Sequence, residues 1–439
     1  MLSKNLLKDI TGVLGSNLFI LTNNLLISIL IARTLGPVGK GLFESIFIIP
    51  LLAISLAEMG ISRSIIYYIG KKTFKNEIIL SALLILLLAT SIIAIVLSIL
   101  LFVIFKDTSI TLQYIFILLI GIPFRLFVIY CRGFFLGNEK LKEANLLQWL
   151  PVFIYLIILS VFLVTHSFTI QNGLISFTLS SIIVAIIAWK KAYYKQIIKL
   201  KEGRVIIFKL LKLGLLFSVA IFILFLNYRI DILILKQLST FKQIGIYTLG
   251  VSLAEQLWQL PAAIGIVMIS RSVNSTDYNK LNKEVAIVLR LSFLVLFFGS
   301  IFLFFAAPLL IDFFYGQAFS ETILVVRVLL PGILLFSIIS IIGNTFAGIG
   351  KAIVIIKIFL PVLILNILFN IIFIPIYGAI GAAMATNISY TTGAIILLIT
   401  YKKTMKTTYK ELLFYKKADF FFIENILLKI FNKNKNGLN

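Results

Sequence analysis

Residues 78–105 read IILSALLILLLATSIIAIVLSILLFVIF, with no charged residue among them. As an α-helix this run would rise about 42 Å. The hydrocarbon core of a bilayer is about 30 Å thick. Only helices and closed barrels satisfy their backbone polar groups in lipid, and barrel strands are about 9–11 residues long. The run therefore predicts a membrane-spanning helix. Lys71, Lys72 and Lys75 stand before it and Lys106 after it.

The rest of the chain repeats this pattern. Of its 439 residues 61% are hydrophobic and 13% charged, where soluble domains average about 45–50% and about 25%. Mean hydropathy is +1.10. A soluble domain, a disulfide scaffold and a disordered tail are excluded. We place twelve spans, at 9–33, 42–69, 78–105, 111–135, 145–165, 169–189, 208–237, 243–270, 285–311, 321–348, 352–375 and 378–401. The first is too long for a signal-peptide core and reads as an uncleaved span. The expectation is an all-α polytopic membrane protein.

The loop charges set the orientation. With both termini in the cytoplasm, 30 Lys and Arg fall on inner segments and five (Arg33, Lys40, Lys106, Lys236 and Lys242) on outer loops. That asymmetry follows the positive-inside rule. It also accounts for the net charge of +23 without nucleic acid, and it turns a basic surface toward anionic inner-leaflet lipid. The only cysteine is Cys131 and the only histidine His166, so disulfides, cysteine metal clusters and paired-histidine zinc motifs are ruled out.

An internal repeat of about 208–211 residues runs through the chain. Pro50 pairs with Pro261, Pro123 with Pro331 and Pro151 with Pro361. Ile61-Ser62-Arg63-Ser64 recurs as Ile269-Ser270-Arg271-Ser272. The Ser-Leu-Ala-Glu strings ending at Glu58 and Glu255 are out of this register and read as coincidence. Six spans per half make the repeat parallel. The predicted organisation is an N-terminal six-helix bundle at 1–189, a basic linker at 190–207, a C-terminal six-helix bundle at 208–403, and a basic amphipathic tail at 404–439. Two pseudo-symmetric bundles around a central cavity suit alternating access.

Leu35-Gly36-Pro37-Val38-Gly39-Lys40-Gly41-Leu42-Phe43 resembles the turn after the first span of polysaccharide exporters in the MATE-like superfamily. Asn227-Tyr228-Arg229-Ile230-Asp231 and Gly378-Ala379-Ile380-Gly381-Ala382-Ala383 are similar to that family too. The resemblance implies a MATE-like fold and a Wzx-type flippase. Such a protein moves a polyprenyl-pyrophosphate-linked oligosaccharide across the bacterial cytoplasmic membrane for O-antigen or capsule synthesis, coupled to an ion gradient. Polysaccharide polymerases would be its partners. With the cleft inside one chain, a monomer suffices.

Charges at membrane depth usually face a cavity or a partner. Arg229 lies nine residues before Leu238, about 14 Å from the outer end and near the midplane. It is a substrate-binding candidate, because a guanidinium pairs bidentately with phosphate or carboxylate oxygens; the alternative is a structural ion pair. Arg125, two residues after Pro123 and one heptad before Arg132, is the second substrate-binding candidate, with a side chain that snorkels to the interface as the alternative. Glu58, Glu255 and Asp231 are ion-coupling candidates, through H⁺ or Na⁺, with structural pairing as the alternative. Asp231 points away from Arg229 and toward a neighbouring helix such as span eight. Asn24 and Asn227 read as a polar pair in spans one and seven, and Arg290 and Arg327 as snorkelling side chains. No metal site, organic cofactor or catalytic residue is expected, and Gly343–Lys351 fails as a phosphate-binding loop. A drug or organic-cation antiporter of the same superfamily is the rival reading; it calls for a carboxylate-dominated cavity.

Overall fold

The computed structural model describes residues 4–415, apart from residues 106, 195, 274, 276 and 352 and the side chains of residues 4–14, 216, 217, 260, 266, 267 and 270. The described residues form helices and connecting turns, with no strand among them. The helices are α1 (Lys4–Ala57), α2 (Ile61–Gly70), α3 (Asn76–Ile104), α4 (Leu112–Gly137), α5 (Leu141–Val164), α6 (Ile170–Tyr193), α7 (Leu200–Leu238), α8 (Phe241–Ala254), α9 (Gln259–Val273), α10 (Tyr278–Phe314), α11 (Thr322–Gly348), α12 (Ile353–Met405) and α13 (Tyr409–Leu413).

Among the described residues nine helices are long and apolar enough to cross a membrane. They account for the twelve expected spans because α1 and α12 each hold two, and span eight is divided between α8 (14 residues) and α9 (15 residues), both too short to be counted alone. In α1 the backbone turns at Gly36 (φ 64°, ψ −176°), between spans one and two. In α12 it turns at Gly378 (φ 55°, ψ −126°), between spans eleven and twelve. Both sit in the left-handed half of backbone space that only glycine enters cheaply. Span two breaks after Ala57 and resumes as α2, while span eight breaks into a 3₁₀ turn, Glu255–Trp258, between α8 and α9. Each Ser-Leu-Ala-Glu string ends where its span interrupts, but at a different place in the repeat: Glu58 stands eight residues after Pro50 and Glu255 six before Pro261.

By packing the chain divides into two compact units. The first holds residues 1–250, 308–325 and 367–385, and the second residues 251–307, 326–366 and 386–439. This division follows packing, whereas the 190–207 boundary follows the sequence repeat. Helix α7 belongs to the first unit because it docks along α2 and α3. Ser64 donates to the carbonyl of Leu210 at 2.8 Å, and the Lys199 amide to Ser81 Oγ at 2.7 Å. Among its described residues the linker forms no separate helix. Its second half forms the first turns of α7, with Lys199 bridging Glu77 and Glu202 at 3.9 and 3.5 Å. Residues 416–439, most of the expected amphipathic tail, lie outside the described residues.

Within the first unit α1 meets α8 backbone to backbone. A Cβ on Gly41 would fall 1.7 Å from the Phe241 carbonyl oxygen, and one on Gly245 2.0 Å from that of Pro37. Small residues let membrane helices approach this closely. Gly41→Val should therefore overpack the seam and destabilise by about 1–3 kcal/mol or more. Gly343→Ala, whose Cβ would meet only ordinary contacts at 3.5 Å and beyond, should be nearly neutral. Thermal unfolding of the two variants in detergent, followed by size-exclusion fluorescence, checks the difference.

Candidate functional site

Two polar constellations stand out in the first unit, and they are chemically opposite.

The first is cationic. Helices α4, α5 and α6 enclose a cavity of about 180 Å³, lined by Arg125, Arg132, Leu147, Gln148, Pro151 and Ser181, with no carboxylate in its lining. Arg125 and Arg132 are two turns apart on α4 and so face the same way. The Arg132 Nη2 donates to Gln148 Oε1 at 2.7 Å, and Gln148 Nε2 donates in turn to Asn17 Oδ1 of α1 at 3.2 Å. This chain fixes the Arg132 fork while its Nε, fully buried, has no hydrogen-bond partner. An unfilled buried donor costs about 1–3 kcal/mol, more when charged. Arg125 lies over the Phe177 ring at 4.8 Å, and among the described residues no carboxylate pairs with it. Pro151 lacks an amide hydrogen and leaves the Leu147 carbonyl without its helical donor. Arg63, on α2, adds positive charge near Arg132. A larger groove of about 900 Å³ between α3 and α4 is mainly apolar, bordered by Ile99, Val103, Phe116 and Leu119, and also by Asp107, Thr108 and Gln113, with no cation in its lining.

The second constellation centres on Asp231, which is 1% exposed. Tyr247 Oη donates to Oδ2 and Asn370 Nδ2 to Oδ1, both at 2.6 Å. The expected contact with span eight is made, by Tyr247 of α8. Asn370, 139 residues away in sequence, was not foreseen. Arg229, half-buried on α7, donates to the Tyr228 carbonyl at 3.3 Å.

The other candidates are placed differently. Glu58 caps α2: its carboxylate accepts from the amides of Gly60 at 2.9 Å and Ser62 at 2.7 Å. It thereby satisfies donors that the break in span two would otherwise leave bare. Glu255 opens the 3₁₀ turn and belongs to the second unit. Asn24 is exposed; the buried asparagine of span one is Asn23, which donates to the Phe19 carbonyl at 2.6 Å. Arg290 does not snorkel. It is 4% exposed and donates to the Glu411 carbonyl, anchoring the segment after α12. Arg327 stays beside Phe304, 4.6 Å over its ring. Lys40, counted among the outer-loop charges, is 2% exposed and paired with Glu44 at 3.1 Å.

The chain's fold is shared with solved transporters. It is similar to the lipid II flippase MurJ in an inward closed conformation, with a TM-score of 0.75 over 95% of this chain and 96% of that one, at 18% identity. A multidrug resistance MATE family transporter of the MOP superfamily, inward-facing, matches at 0.72 over 88% and 94%, also at 18% identity. A MOP superfamily transporter from Pyrococcus furiosus, described as having a binding pocket of reverse polarity, matches at 0.66 over 91% and 96%, again at 18% identity. The fold is that of the MOP superfamily transporters. In sequence, residues 6–273 match the polysaccharide biosynthesis protein family, and the chain belongs to it. An uncharacterized membrane protein of Methanocaldococcus jannaschii is 26% identical over 276 residues, which cover 60% of this chain and 65% of the archaeal one. The matched stretch thus spans just under two thirds of that relative.

Just before the spanning helix α11, which begins at Thr322, Glu321 accepts from Lys242 and Gln243 of α8 at 2.6 and 3.1 Å. The hydrogen bond from Lys242 holds the Glu321 carboxyl below the usual carboxylate range. A depressed folded-state value stabilises above the unfolded one, about 4.3, and that stability is lost as pH falls through the folded value. Both groups are about half exposed, so the pair contributes less than about 1 kcal/mol. Lys242→Met should lower the melting temperature slightly at pH 7, and the gap from wild type should close on acidification below pH 4. Melting curves of both proteins across that range check it.

Proposed function

We propose that this protein is a flippase that carries a polyprenyl-pyrophosphate-linked oligosaccharide across the cytoplasmic membrane for surface polysaccharide synthesis, of the O-antigen or capsule kind. The observation that carries the reading is the arginine-lined cavity without a carboxylate, within a member of the polysaccharide biosynthesis protein family that has a MOP transporter fold. A pyrophosphate linkage is a compact, multiply charged anion. Guanidinium forks in a low-dielectric site are the side chains that bind it best.

In this reading Arg125 and Arg229 contact the anionic part of the substrate. Asp231 is the ion-coupling residue: a buried carboxylate held by neutral donors from two other helices can exchange a proton or hold Na⁺ as its surroundings change. Glu58 and Glu255 are weaker coupling candidates, Glu58 because its carboxylate already serves as a helix cap. The chain would work as a monomer by alternating access, with both termini cytoplasmic, its basic inner face on anionic lipid, and polysaccharide polymerases as its partners in a bacterial inner membrane.

The drug or organic-cation antiporter needs acidic groups to attract its cargo. Its support is the fold it shares with MATE transporters; the polarity of the α4–α5–α6 cavity favours the anion carrier. The sidedness of lipid-linked oligosaccharide in cells depleted of the protein separates the two. Complete intermediates held on the inner leaflet are expected; normal arrival on the outer leaflet would overturn the flippase reading. At normal protein levels, Arg125→Ala and Arg229→Ala should each cut export by about tenfold or more, as loss of a charge-assisted hydrogen bond does. Asp231→Asn should retain folded protein but lose the response of export to the ion gradient.

A further inference from the structure

We propose that the groove between α3 and α4 seats a membrane lipid with a primary ammonium headgroup, one acyl chain lying in the groove and the ammonium on Asp107. The groove shares no lining residue with the α4–α5–α6 cavity, and the site does not rest on the flippase reading.

Three observations carry it. First, the walls are two facing apolar stripes. Ile99, Phe102 and Val103 on α3, and Leu112, Phe116 and Leu119 on α4, recur at helical spacing. Val103, Leu112 and Phe116 are 67%, 83% and 66% exposed, so the groove opens to the bilayer. Second, its length selects the occupant. From the turn between the helices the stripes run down to Ile99 and Leu119, about 10 Å of helix. That lies within one leaflet of a hydrocarbon core about 30 Å thick. A partner helix would need a contact the length of a span, whereas the chain of a lipid in that leaflet fits. Third, the mouth is polar and acidic. Asp107 is the one charged residue in the lining, beside Thr108 and Gln113. Its Oδ1 accepts from the Ser109 amide at 2.8 Å, which fixes the carboxylate on the turn. Lys236 is near, but its Nζ donates to the Phe105 carbonyl at 2.6 Å, and it forms no ion pair with Asp107 among the described residues. A carboxylate takes a charge-assisted hydrogen bond from a primary ammonium. A choline has no N–H to give, and a headgroup whose only charge is a phosphate is repelled. Thr108 and Gln113 supply neutral donors for the phosphate of the ammonium lipid.

The test offers the full-length protein a choice of headgroups. It is placed in nanodiscs holding equal amounts of phosphatidylethanolamine, phosphatidylcholine and phosphatidylglycerol with matched chains, and the lipids it retains are counted by native mass spectrometry. Phosphatidylethanolamine should be enriched by about fivefold over phosphatidylcholine, the scale of an exposed ion pair. Asp107→Asn should remove the enrichment. Val103→Trp, whose ring takes up the groove, should lower retention of the ethanolamine lipid. Leu88→Trp, on an exposed face of α3 outside the groove, should change neither. A second readout places a reporter in the wall: in Phe116→Trp, phosphatidylethanolamine with brominated chains should quench fluorescence more than brominated phosphatidylcholine does, over the background of the three native tryptophans.

Equal retention of the ethanolamine and choline lipids by wild type, or a preference for the glycerol lipid, would overturn the proposal. So would an enrichment unmoved in Asp107→Asn, or equal quenching by the two brominated lipids in Phe116→Trp. A polyprenyl phosphate that displaces the ethanolamine lipid from wild type would make the groove a seat for a prenyl chain and overturn it as well.

Discussion

Every backbone polar group in a bilayer must find its partner inside the protein, and this chain interrupts its spans often enough for that requirement to shape it. The interruptions are filled by side chains. Glu58 accepts from the amides that open α2. Gln243 accepts from the Ala379 amide where α12 restarts after Gly378. Lys236 donates to the Phe105 carbonyl at the end of α3, and Arg33 to the carbonyls of Phe313 and Phe314 at the end of α10. Several charges that a hydropathy reading assigns to loops are therefore plugs for helix ends. Lys236 is only 8% exposed, buried on the strength of the carbonyl it serves.

Against that background the two polar constellations of the first unit differ in kind. The Asp231 cluster is internally satisfied at both carboxylate oxygens, each by a neutral donor. The arginine cavity is not: it has a fixed fork, an unfilled donor and no counter-charge in its lining. A buried charge without a partner is among the least stable arrangements a protein keeps. That makes the cavity the stronger functional signal of the two.

The sequence was most informative where one residue type permits one outcome. Charge-free runs gave the spans, and Gly36 and Gly378, noticed within family-like strings, are the two kinks. The heptad spacing of Arg125 and Arg132 put both on one cavity wall. What escaped was every partner supplied from a distance. Nothing in the local sequence of Arg132 points to Gln148, or of Asp231 to Asn370, because side-chain pairing across helices depends on rotation and depth that hydropathy does not encode. Arg290 shows the same limit. Its position near a span end suggested escape to the interface, yet it turns inward to hold Glu411.

The plugging of helix ends also bears on biosynthesis. The carbonyls that Arg33 serves lie 280 and 281 residues downstream. At about 5–20 residues per second of translation, they are not made until roughly 14–56 seconds after the arginine. Lys236 arrives 131 residues after the carbonyl it caps. Until then Arg33 lacks these acceptors and the Phe105 carbonyl lacks this donor, so contacts that close helix ends in the first unit form only after much of the chain has been made.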